Sequence, residues 1–124
     1  MRLEDRVAIV TGAAKGMGGT ISAALAAEGA HLVLAAREPG PLAALAEDLN
    51  RRERSRRYLA VPTDVTDERA VAALARRARE EFGRIDILVN AAGVIGPIET
   101  PLHMIAPEEW DRVLDVNLKG VFLC

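Results

Sequence analysis

Thr11-Gly12-Ala13-Ala14-Lys15-Gly16-Met17-Gly18 is the stretch whose reading decides the fold. An apolar run, Val7 to Val10, leads into it, and an alanine-rich amphipathic segment leaves it. A strand that enters a glycine turn and opens a helix forms a cradle for a phosphate. Its glycines have separate tasks: one turns the chain sharply, one lets backbone approach a pyrophosphate, and one lets the helix pack closely on the strand. The free N–H groups and positive dipole end of the helix then face the anion.

Outward from this turn, composition limits the alternatives. A chain of 124 residues is one domain by length, short for a complete dinucleotide-dependent enzyme. Half the residues are hydrophobic, with one Trp, one Tyr and two Phe, so the core is built from Ala, Val, Leu and Ile. Such a core suits parallel strands covered by helices on both faces. A formal charge of −2 gives no global attraction to nucleic acid or to an anionic membrane. The single cysteine, Cys124, excludes an intrachain disulfide and a cysteine-based metal site, and fits a reducing compartment. The charged N-terminus lacks the apolar segment of a signal peptide, and no uncharged apolar run reaches the roughly 18 residues of a membrane span. A cytoplasmic location is therefore expected.

Along the chain, Val7–Thr11 and His31–Ala35 read as buried strands, each continuously apolar. Between them, Ile21, Ala24, Leu25 and Glu28 predict a helix with a narrow apolar face, ended by Gly29. Pro41 opens the next helix after a loop at 37–41, with Leu42, Leu45 and Leu49 on one face. Five arginines among Asn50 to Arg57 offer either a nucleic-acid patch or a solvated helix end; lacking interleaved aromatics, they favour the solvated end. Tyr58–Pro62 is a third strand, and Thr66 or Asp67 caps a helix stopped by Gly83. A fourth strand spans Ile85–Asn90. Pro107 begins a last helix whose buried side carries Trp110, Val113, Leu114, Leu118, Val121 and Phe122, and whose pattern is still running at Cys124, as in a truncated fold. Strand and helix alternate four times, which predicts an α/β, Rossmann-type, doubly wound parallel sheet over residues 1–124, strand order 3-2-1-4. Ligands in such sheets bind beyond the carboxyl ends of the strands, where the glycine turn, Arg37, Asp64 and Asn90 fall.

A glycine turn alone occurs in any tight loop, so its neighbours carry the argument. Dinucleotide-binding units usually place an acid about 20 residues past the glycines to hold the ribose 2′-hydroxyl. Here Ala36 stands in that place and Arg37 follows it. Arg37, with Lys15 inside the turn, would attract the 2′-phosphate of NADP, a charge-assisted bond of this kind contributing about 1.5 to 3 kcal/mol. Glu38 is adjacent and is the alternative, facing a ribose. NADP is thus the expected cofactor ahead of NAD. Asp64 suits the adenine amino group with Val65 against the ring, or equally the turn Asp64-Val65-Thr66-Asp67. Asn90 suits either the end of its strand or a ribose. His31 is expected to be structural, and His103 to lie near the substrate side. Neither histidine has a partner at metal-ligand spacing, so no metal is expected.

Thr-Gly-x-x-x-Gly-x-Gly at 11–18, Asp64-Val65, Asn90-Ala91-Ala92-Gly93 and Asp115-Val116-Asn117-Leu118-Lys119-Gly120 together resemble the short-chain dehydrogenase/reductase family across the whole chain. The resemblance implies hydride transfer between a nicotinamide and a carbonyl or secondary alcohol carbon of a small molecule. It assigns Gly12, Gly16, Met17 and Gly18 to the pyrophosphate, Arg37 to the 2′-phosphate, and Asp64 and Val65 to the adenine. Asn90 with Gly93 goes to the ribose side and sheet, Ala91 of the same motif being grouped with them. Asn117 matches an auxiliary asparagine whose backbone holds a water in a proton relay. It also implies a homo-oligomer for the full-length form.

The chain departs from the family at the chemistry. Members use a tyrosine, a lysine four residues later that lowers its pKa, and an upstream serine. Here the one tyrosine, Tyr58, is followed at the fourth position by Pro62, the lysines are Lys15 and Lys119, and the serines are Ser22 and Ser55. The chain alone is expected to be inactive. The alternative is a non-catalytic dinucleotide-binding protein, or a half-domain completed by a partner chain.

Overall fold

The computed structural model describes residues 1–124 and contains four parallel strands in the order expected. These are β1 (Val7–Thr11), β2 (His31–Ala36), β3 (Tyr58–Pro62) and β4 (Ile87–Asn90), arranged β3-β2-β1-β4. The crossovers are α1 (Gly16–Ala27), α2 (Pro39–Arg52) and α3 (Glu68–Phe82). All five residues of β1 are buried, because both faces of the sheet are covered. On one face Ala8, Val10, Leu32 and Leu34 meet Ala26 of α1 and Leu42, Ala46 and Leu49 of α2. On the other, Ile9, Val33 and Ala35 meet Leu74 and Ala78 of α3.

Several local expectations are corrected. Helix α2 begins at Pro39, two residues ahead of Pro41, since both prolines fit a first turn whose N–H groups have no helical acceptor. The buried stripe of α1 is Gly18, Ser22 and Ala26, not the Ile21/Ala24/Leu25 face. Small residues are needed there because the helix lies close to the sheet. The Ser22 hydroxyl is satisfied by donating to the Gly18 carbonyl at 2.7 Å. Of the two expected caps of α3 it is Asp67 that serves, accepting from the N–H groups of Arg69 and Ala70, and Gly83 closes the helix as expected, at φ 76°.

The arginine run is only partly a solvated helix end. Arg51 and Arg52 end α2, but the Arg56 side chain is 12% exposed and donates to the Gly29 carbonyl at 2.8 Å and to Glu4 at 3.1 Å. Arg57 pairs with Glu81 at the end of α3. His31 is structural, as expected: its ring meets Phe82 with centroids 5.1 Å apart, and its Nδ1 accepts the Arg57 N–H. Tyr58 is 3% exposed in the core below α2, its hydroxyl has no partner within the protein, and burial raises its pKa.

Strand β4 starts at Ile87, not Ile85, because Asp86 is used to join the strands. Its N–H donates to the Val7 carbonyl at 2.9 Å, and its carboxylate accepts the Val7 N–H at 2.9 Å. The Arg84 guanidinium, the Val7 N–H and the Arg6 charge hold the Asp86 carboxyl down from 3.8 to about 2. A depressed carboxyl stabilises the fold fully above its unfolded pKa and loses that contribution as pH falls through the folded value. Thermal midpoints should therefore drop between about pH 4 and pH 2, and Asp86→Asn should flatten that part of the profile while lowering stability at neutral pH. A profile for D86N parallel to that of the wild type would contradict this role.

The C-terminal helix is not continuous. Helix α4 (Pro107–Leu114) passes through a π-helical turn at Asp115–Lys119 into α5 (Gly120–Leu123). Its expected buried side is largely exposed: Trp110 is 52% and Phe122 82% exposed, and Leu114, Leu118 and Val121 are exposed as well. Gly120 is the one buried residue of the whole segment. No helix is long and apolar enough to cross a membrane.

Candidate functional site

Beyond the carboxyl ends of the strands lies a cleft of about 330 Å³. Its floor comes from the turn after β1, with Gly12, Ala14 and Lys15. One wall follows β2 and β3, with Arg37, Glu38, Thr63, Asp64 and Val65, and the other follows β4, with Ala91, Ala92, Gly93 and Val94. Val116 of the π turn closes it. The fold thus brings Gly12, Lys15, Arg37, Asp64, Val65, Ala91 and Gly93 to one crevice.

The turn is fixed by close backbone approach. Gly12 has φ 61°, and a β-carbon built there would stand 2.6 Å from the Ala91 carbonyl oxygen. Gly18 lies directly under Gly12: a β-carbon on it would overlap the Gly12 carbonyl. Gly16 also has positive φ, 60°, but nothing lies within 4 Å of its β position, so it serves the turn alone. Met17 is 78% exposed beside it. Gly16, Met17, Gly18, Asn90 and Asn117 do not line the cleft. Gly18 supports its floor, and Asn90 pairs with Thr11 at the top of the β1–β4 ladder.

Helix α1 has no side-chain cap and no acid in its first turn. The N–H groups of Lys15, Gly16, Met17 and Gly18 donate to no atom of the protein, whereas Asp67 caps the start of α3. Lys15 and Arg37 also lack a carboxylate within ion-pair reach, although most arginines elsewhere in the chain have one. Unpaired cations on the cleft, with unpaired N–H donors beside them at the start of α1, fit a bound anion with several phosphoryl oxygens.

Asp64 shows its turn role directly. Its Oδ1 accepts from the Thr66 N–H at 2.9 Å and from the Thr66 hydroxyl at 2.8 Å; with the Arg37 charge, these lower its pKa. Its other oxygen accepts no hydrogen bond within the protein. Both groups of the Asn117 side chain are engaged, its Oδ1 accepting the Val94 N–H at 2.8 Å and its Nδ2 donating to the Val94 carbonyl at 2.9 Å. The side chain clasps the loop after β4, so any proton relay at Asn117 falls to its backbone. His103 lies in an exposed 3-10 turn, Leu102–Met104, outside the cleft lining.

Thr11 is the positioning residue that sequence reasoning missed. It is 1% exposed, and its hydroxyl accepts from the N–H groups of Ala91 and Ala92, both at 3.2 Å, while reaching the Val89 carbonyl at 3.4 Å. The available signal was a hydroxyl ending a wholly apolar strand. Thr63 and Val116 carried no comparable signal, because their place on the cleft depends on tertiary packing.

Gly16→Ala should cost about 1–2 kcal/mol, the left-handed penalty alone. Gly18→Ala should reach or exceed the upper end of the about 1–3 kcal/mol typical of overpacking, since backbone is what it meets. Urea midpoints at constant m value measure both. Equal losses in the two variants would show that the close contact at Gly18 does not set the turn.

The sequence pattern of the family described as short chain dehydrogenase matches residues 6–124. Over 97% of its length the chain is 46% identical to cis-4-hydroxycyclohexanecarboxylate dehydrogenase of Sinomonas cyclohexanicum, covering 47% of that protein. A metagenomic short-chain oxidoreductase in complex with NADP superposes with a TM-score of 0.89 at 37% identity, over 99% of this chain and 54% of the other. A 3-ketoacyl-(acyl-carrier-protein) reductase from Brucella melitensis, complexed with NADH, gives 0.88 at 36%, over 98% and 48%. The chain spans about half the length of the curated relatives it matches. With the sheet order, the glycine turn and the cleft all agreeing, the chain belongs to the short-chain dehydrogenase family.

Proposed function

We propose that residues 1–124 form the coenzyme-binding portion of an NADP(H)-dependent oxidoreductase acting on a small carbonyl or secondary alcohol. The observation that carries the coenzyme choice is the pair Lys15 and Arg37, both on the cleft and both without an ion-pair partner, with Ala36 where an acid would hold a ribose 2′-hydroxyl. Similar proteins are found with either NADP or NADH, so family membership leaves the choice to these residues.

In this reading the open N–H groups of the turn and of α1 hold the pyrophosphate, with Gly12 and Gly16 shaping the turn, Met17 at its exposed rim and Gly18 seating the helix beneath it. Lys15 and Arg37 hold the 2′-phosphate. Asp64 accepts from the adenine amino group while Val65 covers the ring, and Asn90, Ala91 and Gly93 border the ribose. The bound coenzyme supplies a hydride to the substrate carbon or receives one from it. The chain's one tyrosine is not placed to move the accompanying proton, since Tyr58 is sealed in the core and Pro62 stands four residues on. Turnover accordingly needs a serine and a Tyr-x-x-x-Lys from further chain, in a cytoplasmic and homo-oligomeric full-length form. The same observation favours a second reading, a dinucleotide-binding half whose catalytic groups come from a partner or are not used.

Titration of the protein by fluorescence should show tighter binding of NADPH than of NADH. Arg37→Ala should weaken NADPH roughly 10- to 150-fold, equivalent to about 1.5–3 kcal/mol, and leave NADH within about threefold. Equal affinities in the wild type would contradict the NADP assignment. Turnover of ketones by the 124-residue chain alone would contradict the need for further residues.

A further inference from the structure

Behind the cleft wall at Val65 stands Gly120, with no side chain between them. Along the segment 107–124, Gly120 is the one buried residue, and a β-carbon built on it would stand 2.7 Å from Val65 Cγ2 and 3.2 Å from Val65 Cβ. Val65 is 7% exposed and lines the cleft. The π turn just before Gly120 brings its N–H to the Asp115 carbonyl, five residues back, and the same segment places Val116 on the cleft. Two further close approaches tie this helix to the opposite wall: Gly93 faces the Asn117 side chain, and a β-carbon on Gly96 would stand 3.0 Å from Val113 Cγ2. Val113, Asn117 and Gly120 thus form one inner face at helical spacing.

We infer that Gly120 is a positioning residue for the coenzyme cleft, its missing side chain setting how far Val65 stands into the site. This rests on the coenzyme site proposed above. A methyl group at 120 has two ways to fit. It drives Val65 forward into the space for the adenine, or it lifts the helix and takes Val116 away from the cleft. Either displacement weakens coenzyme binding although the substituted residue, Gly120, does not itself line the cleft. A smaller residue at 65 restores the room behind the wall, because the conflict is between these two side-chain positions.

The test is a double-mutant cycle on coenzyme binding, with urea midpoints read alongside. Gly120→Ala should raise the Kd for NADPH about tenfold or more. Val65→Ala alone should weaken NADPH by removing part of the ring's cover, and Gly120→Ala combined with Val65→Ala should still bind more tightly than G120A, so that the two changes are strongly non-additive. If G120A does not fold, the double variant must still fold and bind, and its failure to do so overturns the role. Wild-type affinity in G120A, or a double variant no better than G120A, also overturns it. A wild-type protein that binds neither NADPH nor NADH instead counts against the coenzyme site itself.

Discussion

Three pieces of backbone meet at Gly12 with no side chain between them. The start of α1 presses from below through Gly18, and the exit of β4 presses from the side through Ala91. This contact sets the depth of the cleft floor, the angle at which α1 leaves the sheet and the height of the loop at 91–94. The Thr11 hydroxyl, one residue earlier, holds the same loop through two N–H groups. Backbone placed this closely excludes a side chain at Gly12 and at Gly18, so the shape of the turn is set before any ligand enters. Preorganisation of that kind spares a ligand the entropy of ordering its own site.

The two ends of the sheet use the same residue type in opposite ways. At the amino ends of the strands, Arg6 and Arg84 face Asp86, Arg56 faces Glu4 and Asp5, and Arg57 and Arg77 face Glu81. These pairs fasten the N-terminal segment, β3 and β4 to the rest of the sheet. At the carboxyl ends Arg37 and Lys15 are left without such partners. The cleft thus carries two cations, Lys15 and Arg37, without an ion-pair partner, beside the carboxylates of Glu38 and Asp64.

Much of this was legible in the sequence, for physical reasons that differ by element. Strands β1 and β3 were readable to the residue, because short apolar runs are bounded by Gly12 and by Thr63-Asp64. The start of β4 was not, because Ile85 looks like strand until Asp86 is seen to join Val7. The inner face of α1 was misread since hydrophobicity marks large residues, while close packing selected Gly18, Ser22 and Ala26. Periodicity marked Trp110, Val113, Leu114, Leu118, Val121 and Phe122 as one buried side, but all of these except Val113 are exposed, and Val113, Asn117 and Gly120 are the residues that face inward. The π turn at 115–119 left no trace in the pattern. In the site, residues that act through their own type, such as the glycines, Lys15, Arg37 and Asp64, were found; Thr63, Val94 and Val116 border the cleft only through where the chain carries them.

The Asp86–Val7 bond closes the sheet across 79 residues, whereas β1 reaches β2 through one short helix. Closing a longer loop carries more chain entropy, so the docking of β4 costs more of it than the docking of β2. The cleft straddles that same joint, with Gly12 on one bank and Ala91 to Val94 on the other. A molecule bridging the two banks acts as a clasp on the longest closed loop in the chain. Occupancy of the cleft and persistence of the sheet are in this way one equilibrium seen from two sides.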